Sequence, residues 1–144
     1  MVMTITNVGA QLVSALAADI VARVAPDADL WEIAEALVEA DVGALAVDDD
    51  DDDDVLGVVS ERDVVRALAQ RRDPSTTTAI DIAHARLVWC DATSTVAEVA
   101  QEMMERYVRH VLVEDEGIVI GIVSARDLLG AYAAADRADM ADEA

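Results

Sequence analysis

The sequence predicts an α+β fold made of two copies of one β-α-β-β-α unit, and three observations carry that expectation. The chain repeats itself: residues 30–47 (LWEIAEALVEADVGALAV) lie over residues 96–113 (VAEVAQEMMERYVRHVLV) at an offset of 66, with apolar character kept at almost every core position. Apolar residues recur at helical period in the first part of each copy and form short runs in the second part. The heptapeptide Gly57-Val58-Val59-Ser60-Glu61-Arg62-Asp63 then returns as Gly121-Ile122-Val123-Ser124-Ala125-Arg126-Asp127, identical at five of seven positions and offset by 64 because the first copy has the longer acidic loop.

Each element follows from local chemistry. Strands are expected over residues 20–24 and 86–90. The helix after each has a capping-box start, Asp29-x-x-Glu32 and Thr95-x-x-Glu98, whose side chains can satisfy the free N–H groups of a first turn. Leu30, Ile33, Ala34, Leu37 and Val38 form one stripe, and Val96, Val99, Ala100, Met103 and Met104 the other, so both are expected to face a core. Gly43 is expected to stop the first helix before a strand over 44–47, matched by one over 110–113. The heptapeptide supplies the third strand, and its Ser-x-x-Asp opens an amphipathic helix carrying Val64, Val65 and Leu68 in one copy and Leu128, Leu129 and Tyr132 in the other. Asp73-Pro74 and the Ser/Thr run behind it mark a connection. The expected organisation is an N-terminal segment 1–14, a first repeat 15–72, a linker 73–80, a second repeat 81–132 and an Ala/Asp-rich tail 133–144.

Composition narrows the function. There are 30 acidic against 10 basic residues, none of them Lys, for a net charge of −20. Removing the seven aspartates of 48–54 leaves −13, so the acidity is global. Such a surface repels nucleic-acid polymers and anionic membranes. A halophilic cytoplasm and a GC-rich genome each account for this composition. Charge interrupts every apolar stretch before the length of a membrane span, and the first residues lack the pattern of a signal peptide, so a cytoplasmic address is expected. One cysteine, Cys90, and two histidines give no zinc-type spacing, and no metal or catalytic group is expected. Cys90 reads as a small core residue, the aspartate run 48–54 as a solvated hairpin without an ion, and exposure of Trp31 would mark a subunit contact.

A repeated half that ends in Gly-x-x-Ser-x-Arg-Asp and carries a GALAV-type strand ahead of it resembles the cystathionine beta-synthase (CBS) domain, over about residues 15–132. The resemblance implies two halves packed by their sheets into one pseudo-two-fold, disc-shaped module, a Bateman module. It also implies an adenosine-type ligand (AMP, ADP, ATP or S-adenosylmethionine) in the cleft between them, and often a homodimer. In the family the motif Asp holds the ribose hydroxyls and the Ser lies near phosphate, which carries over to Asp63 and Asp127 and to Ser60 and Ser124. A carboxylate accepts two hydrogen bonds from a vicinal diol, and a hydroxyl at a helix start favours phosphate. Val58 and Ile122 are the apolar strand residues for the adenine.

The family's pocket joins one half's Ser and Asp to the entry strand of the other, so Ser60 and Asp63 are expected to meet His84 and Leu87, and Ser124 and Asp127 to meet Ala18 and Val21. The family's D-I-M-T entry survives as Asp81-Ile82-Ala83-His84 in the second half but is degenerate in the first, Ala15-Leu16-Ala17-Ala18. Arg109 and His110 are candidate phosphate ligands, and equally an ordinary exposed Arg and a half-buried His at a strand start. On these differences the Ser60–Asp63 cleft is expected to bind more tightly. Ser-x-x-Asp is also a helix cap that needs no ligand. The expected function is therefore a non-enzymatic, nucleotide-binding regulatory sensor acting on an unidentified effector protein. The alternative is a ligand-free structural or protein-interaction module.

Overall fold

The computed structural model describes residues 7–17, 21–49, 55–84 and 87–142. Two compact units emerge, and each draws its segments from both repeats: Ile20–Leu87 forms one, and Met1–Asp19 with Val88–Ala144 forms the other.

In the first unit, β1 (Arg23–Val24) runs parallel to β2 (Ala44–Asp48), which pairs antiparallel with β3 (Val55–Ser60). Helix α1 (Leu30–Ala40) starts where Asp29 accepts the Glu32 amide at 2.9 Å. It buries Leu30, Ile33 and Leu37 against Leu45, Val47 and Val59. Helix α2 (Glu61–Ala69) contributes Val64 and Ala67 to the same core, and the short α3 (Ala79–Ile82) contributes Ala79. The second unit repeats the plan with β4 (Trp89–Asp91), α4 (Val96–Arg106), β5 (His110–Asp115), β6 (Ile118–Ser124) and α5 (Ala125–Asp142). Its core is Val13, Val96, Val99, Met103, Val111, Val113, Val123 and Leu128.

The composition of the units follows from a reciprocal exchange. The segment ahead of the second repeat bridges to the first repeat's helix start, Thr78 with Asp29, and Ala79 N–H donates to the Ala28 carbonyl at 2.8 Å. The segment ahead of the first repeat does the same to the second, Leu12 with Thr95, and Val13 N–H donates to the Ser94 carbonyl at 2.7 Å. Ala79 and Val13, one repeat offset apart, are both fully buried. Residues 73–80 are accordingly built into the fold rather than strung between repeats; the Asp73 carboxylate accepts the Ser75 amide at 2.9 Å and Thr78 is paired.

Several sequence expectations are corrected. Strands β1 and β4 are shorter than expected, and their expected starts at Ile20 and Arg86 lie outside the described residues. Helix α1 ends before Gly43: Asp41 takes the left-handed conformation at φ 53°, and its amide returns to the Leu37 and Val38 carbonyls. Tyr107 does the same after α4 at φ 55°, so a non-glycine residue closes both helices. Val38 and Met104 belong to the apolar stripes by spacing, yet stand 82% and 78% exposed because each core takes one residue per turn of its helix. Asp48 is not a solvated loop residue: it ends β2, is buried, and pairs with Arg23. Asp49 is exposed, and residues 50–54 lie outside the described residues.

Candidate functional site

The two copies of the heptapeptide share a backbone frame. Ser60 pairs across the ladder with Ala44, and Ser124 with His110. The first amide of the following helix donates to the residue before the middle strand, Glu61 to the Gly43 carbonyl at 3.0 Å and Ala125 to the Arg109 carbonyl at 2.8 Å. In each copy the serine and aspartate form a reciprocal cap. Ser60 N–H donates to Asp63 Oδ2 at 2.8 Å and Asp63 N–H to Ser60 Oγ at 3.3 Å; Ser124 N–H donates to Asp127 Oδ2 at 2.8 Å and Asp127 N–H to Ser124 Oγ at 3.0 Å. The capping reading of Ser-x-x-Asp is therefore correct for both copies, and it leaves one carboxylate oxygen of each aspartate for other use.

That remaining oxygen is where the copies part. Asp63 is only 3% exposed. Its Oδ2 takes a second bond from the Ser60 hydroxyl at 2.9 Å, and its Oδ1 lies 2.6 Å from His84 Nε2, with an Arg66 nitrogen at 3.6 Å. A carboxylate only accepts, so the His84 Nε2–H is the donor. His84 is held there by its own backbone: its amide donates to the Val58 carbonyl at 2.9 Å and its carbonyl accepts the Val58 amide at 3.2 Å. Gly57 makes room for this pass, since a β-carbon there would stand 3.0 Å from both the Ala83 β-carbon and the His84 carbonyl oxygen. Asp127, in contrast, is exposed and among the described residues takes only the Ser124 amide.

The structure thus brings together Val58, Ser60, Asp63 and His84 of the expected site. Val58, Ser60 and Leu87 are half-buried, and a small cleft beside Asp63 is lined by Arg66, Ala67, Gln70, Arg72 and Ile82. Sequence reasoning did not single out Arg66 or Arg72; Arg66 sits three residues after Asp63 on one helix, a spacing that marks it as a neighbour. Ile122, Ser124 and Asp127 lie in the other compact unit with Arg109 and His110. His110 faces Ser124 directly across the ladder, so the Arg109–His110 turn is joined to the second copy of the motif. Ala18, expected beside Asp127, lies outside the described residues.

Two further carboxylates are tuned by turns. Thr78, through its backbone and then its side chain, holds Asp81 below its ordinary range; the Thr93 hydroxyl and amide do the same for Asp91. Burial, reinforced by Asp91, Glu114 and Glu102, pushes the Cys90 thiol up to about 11, which suits a packing residue and disfavours a nucleophile. No described helix is long and apolar enough to cross a membrane.

Comparison with known proteins decides the family. The CBS domain model matches residues 13–70 and 79–134. The chain belongs to the CBS-domain family. It is 35% identical over 102 residues to Hypoxic response protein 1 of Mycobacterium tuberculosis, covering 69% of each chain. A CBS domain protein of Pyrobaculum aerophilum, solved in complex with AMP, matches with a TM-score of 0.74 and 31% identity over 81% of this chain and 89% of that one. A crystal structure of Hypoxic Response Protein I with two coordinated zinc ions matches with a TM-score of 0.69 and 31% identity, over 83% of this chain and 98% of that one. Among the described residues here, no group of three or more His, Cys, Asp or Glu is placed to hold a metal ion.

Proposed function

We propose that this CBS pair is a regulatory module that binds an adenosine nucleotide and passes its occupancy to a partner protein as a change of shape or assembly. The observation that carries the reading is the doubled Ser-x-x-Asp frame, in which each cap leaves one carboxylate oxygen of Asp63 and Asp127 as an acceptor for a ribose diol. The AMP-bound CBS relative of Pyrobaculum aerophilum supports the ligand class. The ligand residues in this reading are Ile122, Ser124 and Asp127 with Arg109 and His110, and Val58, Ser60 and Asp63 with Leu87. We assign the readier copy to Ser124 and Asp127, the reverse of the order expected from sequence. Asp127 is exposed and, among the described residues, accepts only the Ser124 amide, whereas Asp63 is buried and bonded on both oxygens, and Arg109 and His110 belong to the second copy.

Output without catalysis requires a partner, and the ligand can shift the module only as far as its affinity differs between two states. A homodimer is part of the reading, with exposed Trp31, Val38, Val65 and Leu68 of one unit and Met104, Tyr107, Leu129 and Tyr132 of the other as apolar residues available to a second copy. A cytoplasmic setting goes with this ligand class. A second reading, an interaction module that needs no ligand, is favoured by one observation, the internally satisfied carboxylate of Asp63. A thermal-shift screen with AMP, ADP, ATP and S-adenosylmethionine at low and high salt separates the two: stabilisation by at least one compound is expected, and none with any of them selects the interaction module.

A further inference from the structure

We propose that His84 is a built-in competitor for the nucleotide at the first motif copy: its imidazole occupies the oxygen of Asp63 that a ribose diol would need, so ligand enters there only as His84 leaves. The inference rests on the nucleotide reading above and adds a rule of order to it. Three observations carry it. The His84 contact, at 2.6 Å, falls on Asp63 Oδ1, the oxygen that the serine cap leaves over. The Asp63 carboxylate is buried while His84 is 58% exposed, so the histidine covers the carboxylate from the solvent side, where a ligand must come. The second copy, with the same cap geometry, has no such contact on Asp127 among the described residues.

Among the described residues, the charged groups near the pair are Arg66 on α2, Arg72 beyond the end of that helix in the same cleft, and Asp81 on α3, near Arg72. Neither arginine reaches Asp63 within 3.5 Å, so the histidine is the partner that a diol must replace. The histidine is also tied by two backbone bonds to Val58, the residue expected to face the adenine. Five of seven identical motif residues thus yield two unlike sites, one without such a contact among the described residues and one held shut by a residue outside the motif.

The test is AMP calorimetry on paired variants, with circular dichroism to check folding. On an Asp127→Ala background, where only the first copy can bind, His84→Ala is expected to tighten AMP by about three- to ten-fold, the range for one hydrogen bond to a charged group on a half-exposed pair. On an Asp63→Ala background the same substitution is expected to leave AMP affinity within about two-fold, since it acts only through Asp63. His84→Val serves equally should the alanine variant misfold. Weaker or unchanged binding in His84→Ala, Asp127→Ala overturns the competitor and leaves the nucleotide reading standing. Absence of AMP binding in every variant and in the unaltered protein overturns both.

Discussion

Replacing Gly57 by alanine tests the close pass of Ala83 and His84 over β3. The added β-carbon would stand 3.0 Å from the Ala83 β-carbon and 3.0 Å from the His84 carbonyl oxygen, and both neighbours are fixed by backbone rather than by a flexible side chain. The segment must give by a few tenths of an ångström, which strains the two hydrogen bonds between His84 and Val58, at 2.9 and 3.2 Å. Overpacking of this kind costs about 1 to 3 kcal/mol, offset by about 0.4 to 1 kcal/mol because alanine restricts the unfolded chain. The net expectation is a loss of about 1 kcal/mol, or a fall in Tm of roughly 3 °C for a chain of this size. Gly130→Ala is the control of opposite sign: it lies within helix α5 with nothing within 4 Å of its would-be β-carbon, and a gain of about 0.5 to 1 kcal/mol is expected. Thermal and urea unfolding of both variants reads the two signs. An unchanged or raised Tm in Gly57→Ala, with Gly130→Ala behaving as expected, would refute the tight pass of Ala83 and His84 over β3.

Three other outcomes follow from the same geometry. Asp63→Ala is expected to cost about 2 to 3 kcal/mol, because it removes a buried carboxylate that accepts from the Ser60 amide, the Ser60 hydroxyl and His84, and Asp127→Ala about 1 kcal/mol as the loss of an exposed cap; equal losses in urea unfolding would contradict the difference in burial. With its thiol pushed up to about 11, Cys90 is expected to alkylate roughly a hundred-fold slower at pH 8 than an ordinary cysteine, the rate rising with pH until the thiolate forms; a fast reaction at pH 7 would show that it is not packed as described. Light scattering is expected to give about 30 kDa, twice the 15.3 kDa chain, falling to the monomer in Val65→Arg, Leu129→Arg; a monomer at tens of micromolar in high salt would remove the homodimer from the account.

Much of the fold was legible because repetition and periodicity act locally. Capping residues Asp29, Thr95, Ser60 and Ser124 each mark a helix start that the structure contains, and the strands they flank are near where the apolar runs place them. Legibility failed where a choice depends on the other side of the contact. Val38 and Met104 have the spacing of core residues, but a helix lying on a three-stranded sheet buries a narrower stripe than the apolar pattern offers. Asp48 sits in a run of seven identical residues, and nothing within that run marks it as the one that ends β2 and pairs with Arg23 on β1. The meeting of His84 with Asp63 came from the family resemblance; that their contact falls on the one carboxylate oxygen the cap leaves over is a matter of ångströms that no spacing records. The reciprocal exchange of entry segments has a sequence trace only in hindsight, in the matching columns of Val13 and Ala79.

Titration of AMP into the unaltered protein, followed by calorimetry and repeated with Asp127→Ala, tests the central claim most directly. The account predicts saturable binding whose tighter event is lost when Asp127 is removed, and retained when Asp63 is removed instead. Heat of dilution alone, at low and at high salt, would contradict it, leaving the paired serine and aspartate as helix caps with no ligand to hold.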